Sequence, residues 1–560
     1  MDDVDSVQAQ IARNMLESGD WVTARLDGVK YLEKAPLWYW LIGLSFRIFG
    51  VHDWAARIPV FLSAVLLCLL TYWITKWSGS KEASFYAGLA LATSVGLFLF
   101  TRILIPDVAL TLCIALSLWA FLRSIDPAEL RARAWAWAYA AGIGIGMLLK
   151  GLIAAVFLIG IAAVYLLITG QWRKRDVWRR LHIWSGLLIA VAIAAPWHII
   201  ATLRNPPYFV ATLHSGPGEY KGFFWFYFVN EQVLRFLNLR YPRDYNTVPW
   251  LWFWLLHFAW FFPWSFFLPS VLRLRHGVEN RASRLRLLAV IWIGVVLVFF
   301  TFSTTQEYYS MPCYPAFAML IGMSIANPEA AHKWSLRVVA MLSGLCFAAT
   351  IGLLIASWNL PTPGDIARAL VQHPSAYTLS LGHMGDLTIA SFAYLRLPLA
   401  LAALAFAVGL AGLGMLTGRR AYLSLAVMMI LLLHAARLAL VRFDPYLSSR
   451  PLAQALLASP AGHVIFDDQY YTFSSVSFYT GKRVLLLNGR VNNLEYGSNA
   501  PDAPQVFISD SDLRHLWRGS ERYYLLAEAP AVQRFVGILG TNHLHVIAES
   551  GGKYLFTNLQ

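Results

Sequence analysis

The chain has 560 residues, 58% of them hydrophobic and only 14% charged, and its 45 Lys and Arg exceed its 31 Asp and Glu to give a net charge of +14. A water-soluble domain carries about 25% charged residues and about 45–50% apolar ones, so these figures exclude an ordinary cytosolic enzyme and a disordered chain alike. They describe a polytopic α-helical membrane protein, whose natural unit is the apolar run of about 20 residues that crosses a bilayer core.

The first 53 residues are polar by comparison and form an outward-facing first loop. Val7, Ile11, Met15 and Leu16 recur at helical spacing, which predicts an amphipathic helix over 5–17 lying on the membrane surface. Residues 37–50 are apolar but too short to span, so a second interfacial helix is expected there. The segment opens with Met1-Asp2-Asp3 and has no leader, yet it must reach the outer side. One further span upstream of residue 1 is therefore expected in the natural chain.

A transmembrane domain over 54–444 follows, with about twelve candidate spans near residues 54–75, 83–100, 104–122, 134–149, 152–169, 183–201, 250–272, 287–303, 310–326, 335–357, 394–417 and 421–441. Alternate loops separate by charge. Lys76 and Lys81, Arg131 and Arg133, the Arg173-Lys174-Arg175 run, Arg273 to Arg286, Lys333 and Arg337, and Arg419-Arg420 fall on one side, which the positive-inside rule makes cytoplasmic. The basic excess is thus a topology signal, and no nucleic-acid partner is expected. Cys68, Cys113, Cys313 and Cys346 all lie in apolar segments without metal-ligand spacing and read as small core residues.

The ionisable groups that remain collect on the other side. Asp3, Asp5, Glu33 and Lys34 stand in the first loop. Arg102 and Asp107 begin the third span, Lys150 sits between the fourth and fifth, Arg235 lies in the long loop 202–249, and Tyr308 and Tyr309 lie between the eighth and ninth. Any one of them has a bland reading as a solvated or snorkelling side chain. Together, carboxylates and cations at membrane level match what chemistry on a phosphorylated lipid requires, with cations for the phosphate and a carboxylate for an acceptor proton or a metal. A multi-span transporter or flippase of lipid-linked substrates is the alternative, but it would place its charges near mid-bilayer on broken helices in paired halves.

The tail, 445–560, alternates short apolar runs (His463 to Asp468, Arg483 to Leu487, Val506 to Ser509, Tyr523 to Glu528, His545 to Glu549 and Lys553 to Phe556) with helical stretches such as Ser511 to Arg518. A small outward-facing α/β domain is expected there.

Several runs resemble one family. Tyr31-Leu32-Glu33-Lys34-Ala35-Pro36-Leu37-Trp38-Tyr39-Trp40 looks like the Tyr, Glu-Lys, Pro and Tyr-Trp motif of bacterial aminoarabinose transferases of the ArnT type and their relatives, the protein O-mannosyltransferase superfamily with the GT-C fold. Ile11 to Trp21, Arg102 to Asp107, Leu149-Lys150-Gly151, Pro196-Trp197, Phe228 to Phe236, Glu307-Tyr308-Tyr309 and, in the tail, Ser449 to Ala453, Phe478-Tyr479 and Leu494 to Gly497 are similar in order and spacing. The resemblance implies about thirteen spans, one more than the sequence displays, and an α/β domain on the periplasmic side of the bacterial inner membrane. It implies inverting transfer of a sugar, of the aminoarabinose or hexose type, from a polyprenyl monophosphate to an envelope lipid, glycan or protein acceptor, without a nucleotide cofactor. Asp107 resembles the family's second acid. The first acid falls by ungapped alignment on Asp5, with Asp3 as the second candidate, where the family's usual Asp-Glu pair is absent. Glu33 resembles a position that contacts a divalent metal, and Lys34 the cation that meets the carrier phosphate. Arg102, Lys150 and Arg235 are further phosphate candidates, with Tyr31, Tyr308 and Tyr309 as hydrogen-bonding groups. Thr305-Gln306 stands where relatives often have Ser-Lys, which removes one cation.

Overall fold

The computed structural model describes residues 1–243, 248–303, 305–327, 332–371 and 382–559. Its first half is a run of helices. α1 (Asp3–Ser18) and α2 (Leu37–Phe49) flank a two-stranded hairpin, β1 (Arg25–Leu26) and β2 (Val29–Lys30), whose turn residues Asp27 and Gly28 both have positive φ. Asp-Gly supplies that left-handed pair at low cost. α3 (Asp53–Trp77), α4 (Lys81–Ala92), α5 (Val95–Phe100), α6 (Asp107–Ile125), α7 (Ala132–Lys150) and α8 (Leu152–Ile168) then build the bundle, and the longest later helices are Ile183–Arg204, Arg281–Thr301, Lys333–Ser357, Arg396–Met415 and Arg419–Arg442. Each of the twelve apolar segments contains helix. Among the described residues, seven helices are long and apolar enough to cross a membrane, or eight if the bent pair Trp250–Trp260 and Trp264–Val271 counts as one. The others are shorter, broken, or diluted by Gly, Trp and Tyr.

α1 differs in its setting from a helix resting on a surface. Val7, Ile11 and Met15 are buried, as are Asp3 and Asp5 on its first turn, because α1 is enclosed between α2 and the tail helix Tyr470–Thr480. An amphipathic stripe reports that a helix has something apolar to cover and does not say whether that is lipid or protein.

All six apolar runs of the tail are strands: β3 (His463–Asp467), β4 (Val484–Leu487), β5 (Phe507–Ile508), β6 (Tyr523–Glu528), β7 (His545–Ser550) and β8 (Lys553–Thr557), in the sheet order β5-β4-β3-β6-β8-β7. The first four are parallel, and β8 and β7 add antiparallel strands at one edge. Val464 and Phe466 of β3 pack with Tyr470, Phe473 and Val476 on the face toward α1, while Ile465 packs with Phe535 and Leu539 on the other. The hairpin docks on the tail so closely that a Cβ on Gly497 would collide with the Lys30 carbonyl oxygen. That contact requires glycine at 497.

Candidate functional site

Helix ends create the site. Asp107 is the first residue of α6, where a carboxylate meets the positive end of the helix dipole, and Lys150 is the last residue of α7, where an ammonium meets the negative end. α6 and α7 pack side by side, which brings the two together with Lys150 Nζ 2.5 Å from Asp107 Oδ1. Gly151, with φ of 81°, turns the chain immediately after Lys150. Its hydrogen side lies against the Tyr227 hydroxyl and the Gln232 amide, so a larger residue would push both away. Lys150 Nζ also stands 4.7 Å from the Tyr309 ring centroid and 5.5 Å from that of Tyr308, within the range of a cation–π contact.

A second cluster is assembled from three distant segments. Glu33 is 5% exposed and accepts from the Tyr31 hydroxyl at 2.7 Å, from Lys34 at 3.1 Å and from Arg240 at 3.0 Å. Arg240 also reaches Glu231 at 2.6 Å, and Glu231 in turn holds Arg235 at 3.1 Å. Glu231 lies in a π-helical stretch, Trp225–Leu234, a geometry that recurs at functional sites, and Arg235 follows directly. From the tail, Asn493 donates to the Tyr471 hydroxyl at 2.9 Å and approaches Glu33 at 3.4 Å, and its oxygen accepts from Arg240 at 3.3 Å. Burial pushes the Glu33 carboxyl up, but Lys34, Arg240 and Arg235 outweigh it and hold it at about 2, so Glu33 is an anion that fixes the cations around it. Burial, reinforced by Glu33, raises the Tyr31 phenol well above its ordinary value, which keeps it a proton donor.

Both clusters open on one cavity of about 850 Å³, walled by the bundle on one side and the tail on the other. Nine of the eleven candidate residues line it: Asp3, Tyr31, Glu33, Lys34, Asp107, Lys150, Arg235, Tyr308 and Tyr309. Leu110, Ile153, Phe157, Phe236 and Phe299 supply an apolar wall. Asp5 and Arg102 lie behind it. The Asp5 carboxylate accepts from the Leu104 amide at 2.6 Å and from Arg57, whose other nitrogen donates to the Arg102 carbonyl. These bonds tie α1 and α3 to the turn that leads into Asp107. Arg102 itself stacks on Phe98 at 5.3 Å. Asp3 faces the cavity but is committed to Lys553 at 2.6 Å, Ser449 at 2.9 Å and the Ser475 amide at 3.0 Å, which clasp α1 to the tail.

Glu33 suits a divalent ion poorly, because both its oxygens are engaged and three cations surround it. Among the described residues no three His, Cys, Asp or Glu converge as a metal cluster. Sequence reasoning missed Arg240, Asn493, Tyr471, Arg57 and Lys553, and met Glu231 only as part of the run around Arg235. Arg240 and Glu231 stood in the same long loop as Arg235, and their signal was charge in an otherwise apolar neighbourhood. The tail residues gave no signal without the fold.

Comparison with known proteins agrees with this architecture. Residues 33–200 match the family described as dolichyl-phosphate-mannose-protein mannosyltransferase. The chain is 30% identical over 366 residues to undecaprenyl phosphate-alpha-4-amino-4-deoxy-L-arabinose arabinosyl transferase 2 of Pseudomonas fluorescens Pf-5, a match covering 64% of this chain and 58% of that protein. It is 30% identical over 328 residues to the corresponding transferase of Pseudomonas aeruginosa PAO1, covering 57% and 54%. The chain therefore matches somewhat more than half the length of these relatives. The crystal structure of ArnT from Cupriavidus metallidurans bound to undecaprenyl phosphate superposes with a TM-score of 0.77 at 21% identity, over 99% of this chain and 93% of that one. Its apo form gives 0.76 at 22% identity. The fold is ArnT-like throughout, and the sequence is similar to that of the aminoarabinose transferases, as the motifs indicate.

Proposed function

We propose that this chain is an inverting membrane glycosyltransferase that moves a sugar of the aminoarabinose or hexose type from a polyprenyl monophosphate to a lipid, glycan or protein acceptor at the outer face of the bacterial inner membrane. The observation that carries the reading is the single cavity in which Lys34, Lys150 and Arg235 share walls with buried Asp107 and Glu33 and with an apolar surface suited to a polyprenyl chain. The relatives named for undecaprenyl phosphate aminoarabinose support it.

The reaction needs little beyond alignment and charge. An acceptor oxygen bonds to the anomeric carbon from the face opposite the phosphate. The bond from that carbon to the phosphate oxygen breaks, and its electron pair leaves with the polyprenyl phosphate. Lys34, Lys150 and Arg235 neutralise the charge that grows on the leaving group. Each is tethered to a carboxylate, so the cations are preorganised and need not be drawn from water. If the acceptor is a hydroxyl, its proton passes to a carboxylate, and we assign that role to Asp107, which lines the cavity at the start of α6, whereas Asp3, at the start of α1, is held by Lys553, Ser449 and the Ser475 amide. Asp5 then acts as a positioning residue through Arg57 and the Leu104 amide. A phosphate acceptor requires no base. Glu33 orders Lys34 and Arg240, and no step is routed through a metal.

The test mixes purified protein with labelled polyprenyl phosphate sugar and a total envelope extract. Label moving to an extract component is the expected result. Flux of label across a vesicle without transfer would establish the transporter reading instead.

A further inference from the structure

The four parallel strands of the tail run in the order β5-β4-β3-β6, so the chain steps from β3 outward to β5 and then returns to the far side of β3. The segment after β3 becomes the helix Tyr470–Thr480, on the face toward α1, and the segment after β6 becomes the helix Val532–Leu539, on the opposite face. Adjacent parallel strands whose connections depart to opposite faces leave a crevice beyond their carboxyl ends, the place where open α/β sheets bind ligands. In this protein that crevice opens into the cavity shared by the bundle and the tail. Gln469 and Thr472 after β3, Asn492 after β4 and Glu528 at the end of β6 all line it, with Lys553, the register partner of Glu528, beside them.

The chemistry of this wall differs from that of the bundle wall. Lys553 is already neutralised by Asp3, and the groups beside it are the half-exposed amides and hydroxyl of Gln469, Asn492 and Thr472 and the exposed Glu528 carboxylate. Gln469 precedes its helix without bonding to it through the side chain. Asp468, Asn488 and Asn492 adopt left-handed φ of 58°, 55° and 53° after the same strands, a conformation that Asp and Asn accept more readily than other residues with a Cβ. Amides, a hydroxyl and a carboxylate around a crevice fit hydroxyl-bearing rings better than a bare anion, whereas Lys150 stands on the bundle at the end of α7.

We infer that the switch-point crevice of the tail binds the saccharide part of the acceptor, with Gln469, Thr472 and Asn492 as specificity-determining residues, opposite a carrier phosphate held by the bundle. This rests on the transferase reading, and the two fail differently. In the labelled-transfer assay, Gln469→Ala and Asn492→Ala should each raise the envelope-extract concentration giving half-maximal rate by about fivefold to tenfold, the value of one lost hydrogen bond. Undecaprenyl phosphate binding should stay within about twofold of the parent. Unchanged extract dependence, or loss of carrier binding in step with it, overturns the assignment. Absence of transfer by the parent protein would count against the transferase reading alone, and hydrogen exchange on the full chain then decides the crevice independently. Protection of 468–472 and 528–530 by a mixture of maltose, cellobiose and chitobiose supports the inference. Protection by inorganic phosphate instead, or by neither probe, refutes it.

Discussion

The two ends of α6 carry nearly the same chemistry to opposite effect. Asp107 opens the helix and Asp126 closes it, about 28 Å away at 1.5 Å per residue. Both carboxylates are almost fully buried, and both are paired, Asp107 with Lys150 at 2.5 Å and Asp126 with Arg281 at 2.7 Å and Arg284 at 3.3 Å. Around Asp126 the pairing is complete. Arg180 donates to the carbonyls of Ser124, Asp126 and Glu129, which satisfies the C-terminal end of α6, and none of these groups lines the cavity. Asp107 and Lys150 have the cavity in front of them. A buried ion pair is therefore weak evidence of function, and what separates a staple from a site is the space the pair faces.

That distinction is open to direct attack. Asp107→Asn and Lys150→Ala are expected to lower transfer by about a thousandfold, the scale seen when one preorganised electrostatic group is removed at a reacting centre, while the folded protein still binds undecaprenyl phosphate after Asp107→Asn. Wild-type-like rates in both variants would remove Asp107 from the mechanism. Asp126→Asn should do the reverse. It leaves Arg281 and Arg284 without their carboxylate and is expected to cost about 2 kcal/mol, a discounted value because the Arg281 side chain is 39% exposed. The measurement is the unfolding midpoint alongside the rate per folded molecule, and a lower rate with an unchanged midpoint would erase the contrast between the two ends.

Much of this was legible in the sequence, for physical reasons that also mark where legibility stops. Apolar runs are local, so the helical segments and the six strands of the tail could be read from the sequence, as could the gathering of Lys34, Asp107 and Lys150 on one side. Pairings across the chain were not legible. Arg240 meets Glu33 across 207 positions, Asn493 meets Arg240 across 253, and Lys553 meets Asp3 across 550. No propensity or spacing encodes such contacts, because they depend on how α1 and the hairpin are enclosed by the tail. For the same reason the charged residues of the α1 first turn could be noticed but not told apart. Only the fold puts Asp3 against Lys553 and Asp5 against Arg57.

The Glu33 cluster lies between the two extremes of α6, since it is paired like Asp126 and faces the cavity like Asp107. Lys34→Ala should reduce turnover about a hundredfold and act mainly on the donor. Unchanged use of polyprenyl phosphate sugar would refute the assignment. Glu33 adds a pH signature. Its folded value of about 2 lies below the ordinary carboxyl value of 4.5, so its contribution to stability is complete above pH 4.5 and is lost as pH falls toward 2. Glu33→Gln should therefore unfold at a lower temperature than the parent at pH 7, and the gap should shrink progressively below pH 4.5. A gap independent of pH would mean that the ion pairs do not stabilise the folded state through this carboxylate.

Asp27 supplies the smallest effect and the cleanest control, because it is a buried acid outside both arrangements. Among the described residues it makes no ion pair; its Oδ1 accepts from the Val484 amide at 3.2 Å and its Oδ2 is buried without a hydrogen-bond partner. Burial raises its carboxyl to about 6 despite that bond and the nearby Arg483. The sign is the opposite of that for Glu33. A raised folded value means that the contribution to stability is complete below the ordinary value of 3.8 and is lost as pH rises through 6. Asn at this position keeps an oxygen for Val484, tolerates the φ of 51°, and carries no charge to bury. Asp27→Asn should thus raise the unfolding midpoint at pH 7.5 by the equivalent of about 1 kcal/mol and change it little at pH 4. The gain is bounded because the new amide nitrogen enters the place of the unpartnered oxygen. If Asp27→Asn destabilised the protein at pH 7.5 as Asp126→Asn does, the partner cations would not be what separates a stabilising buried acid from a costly one.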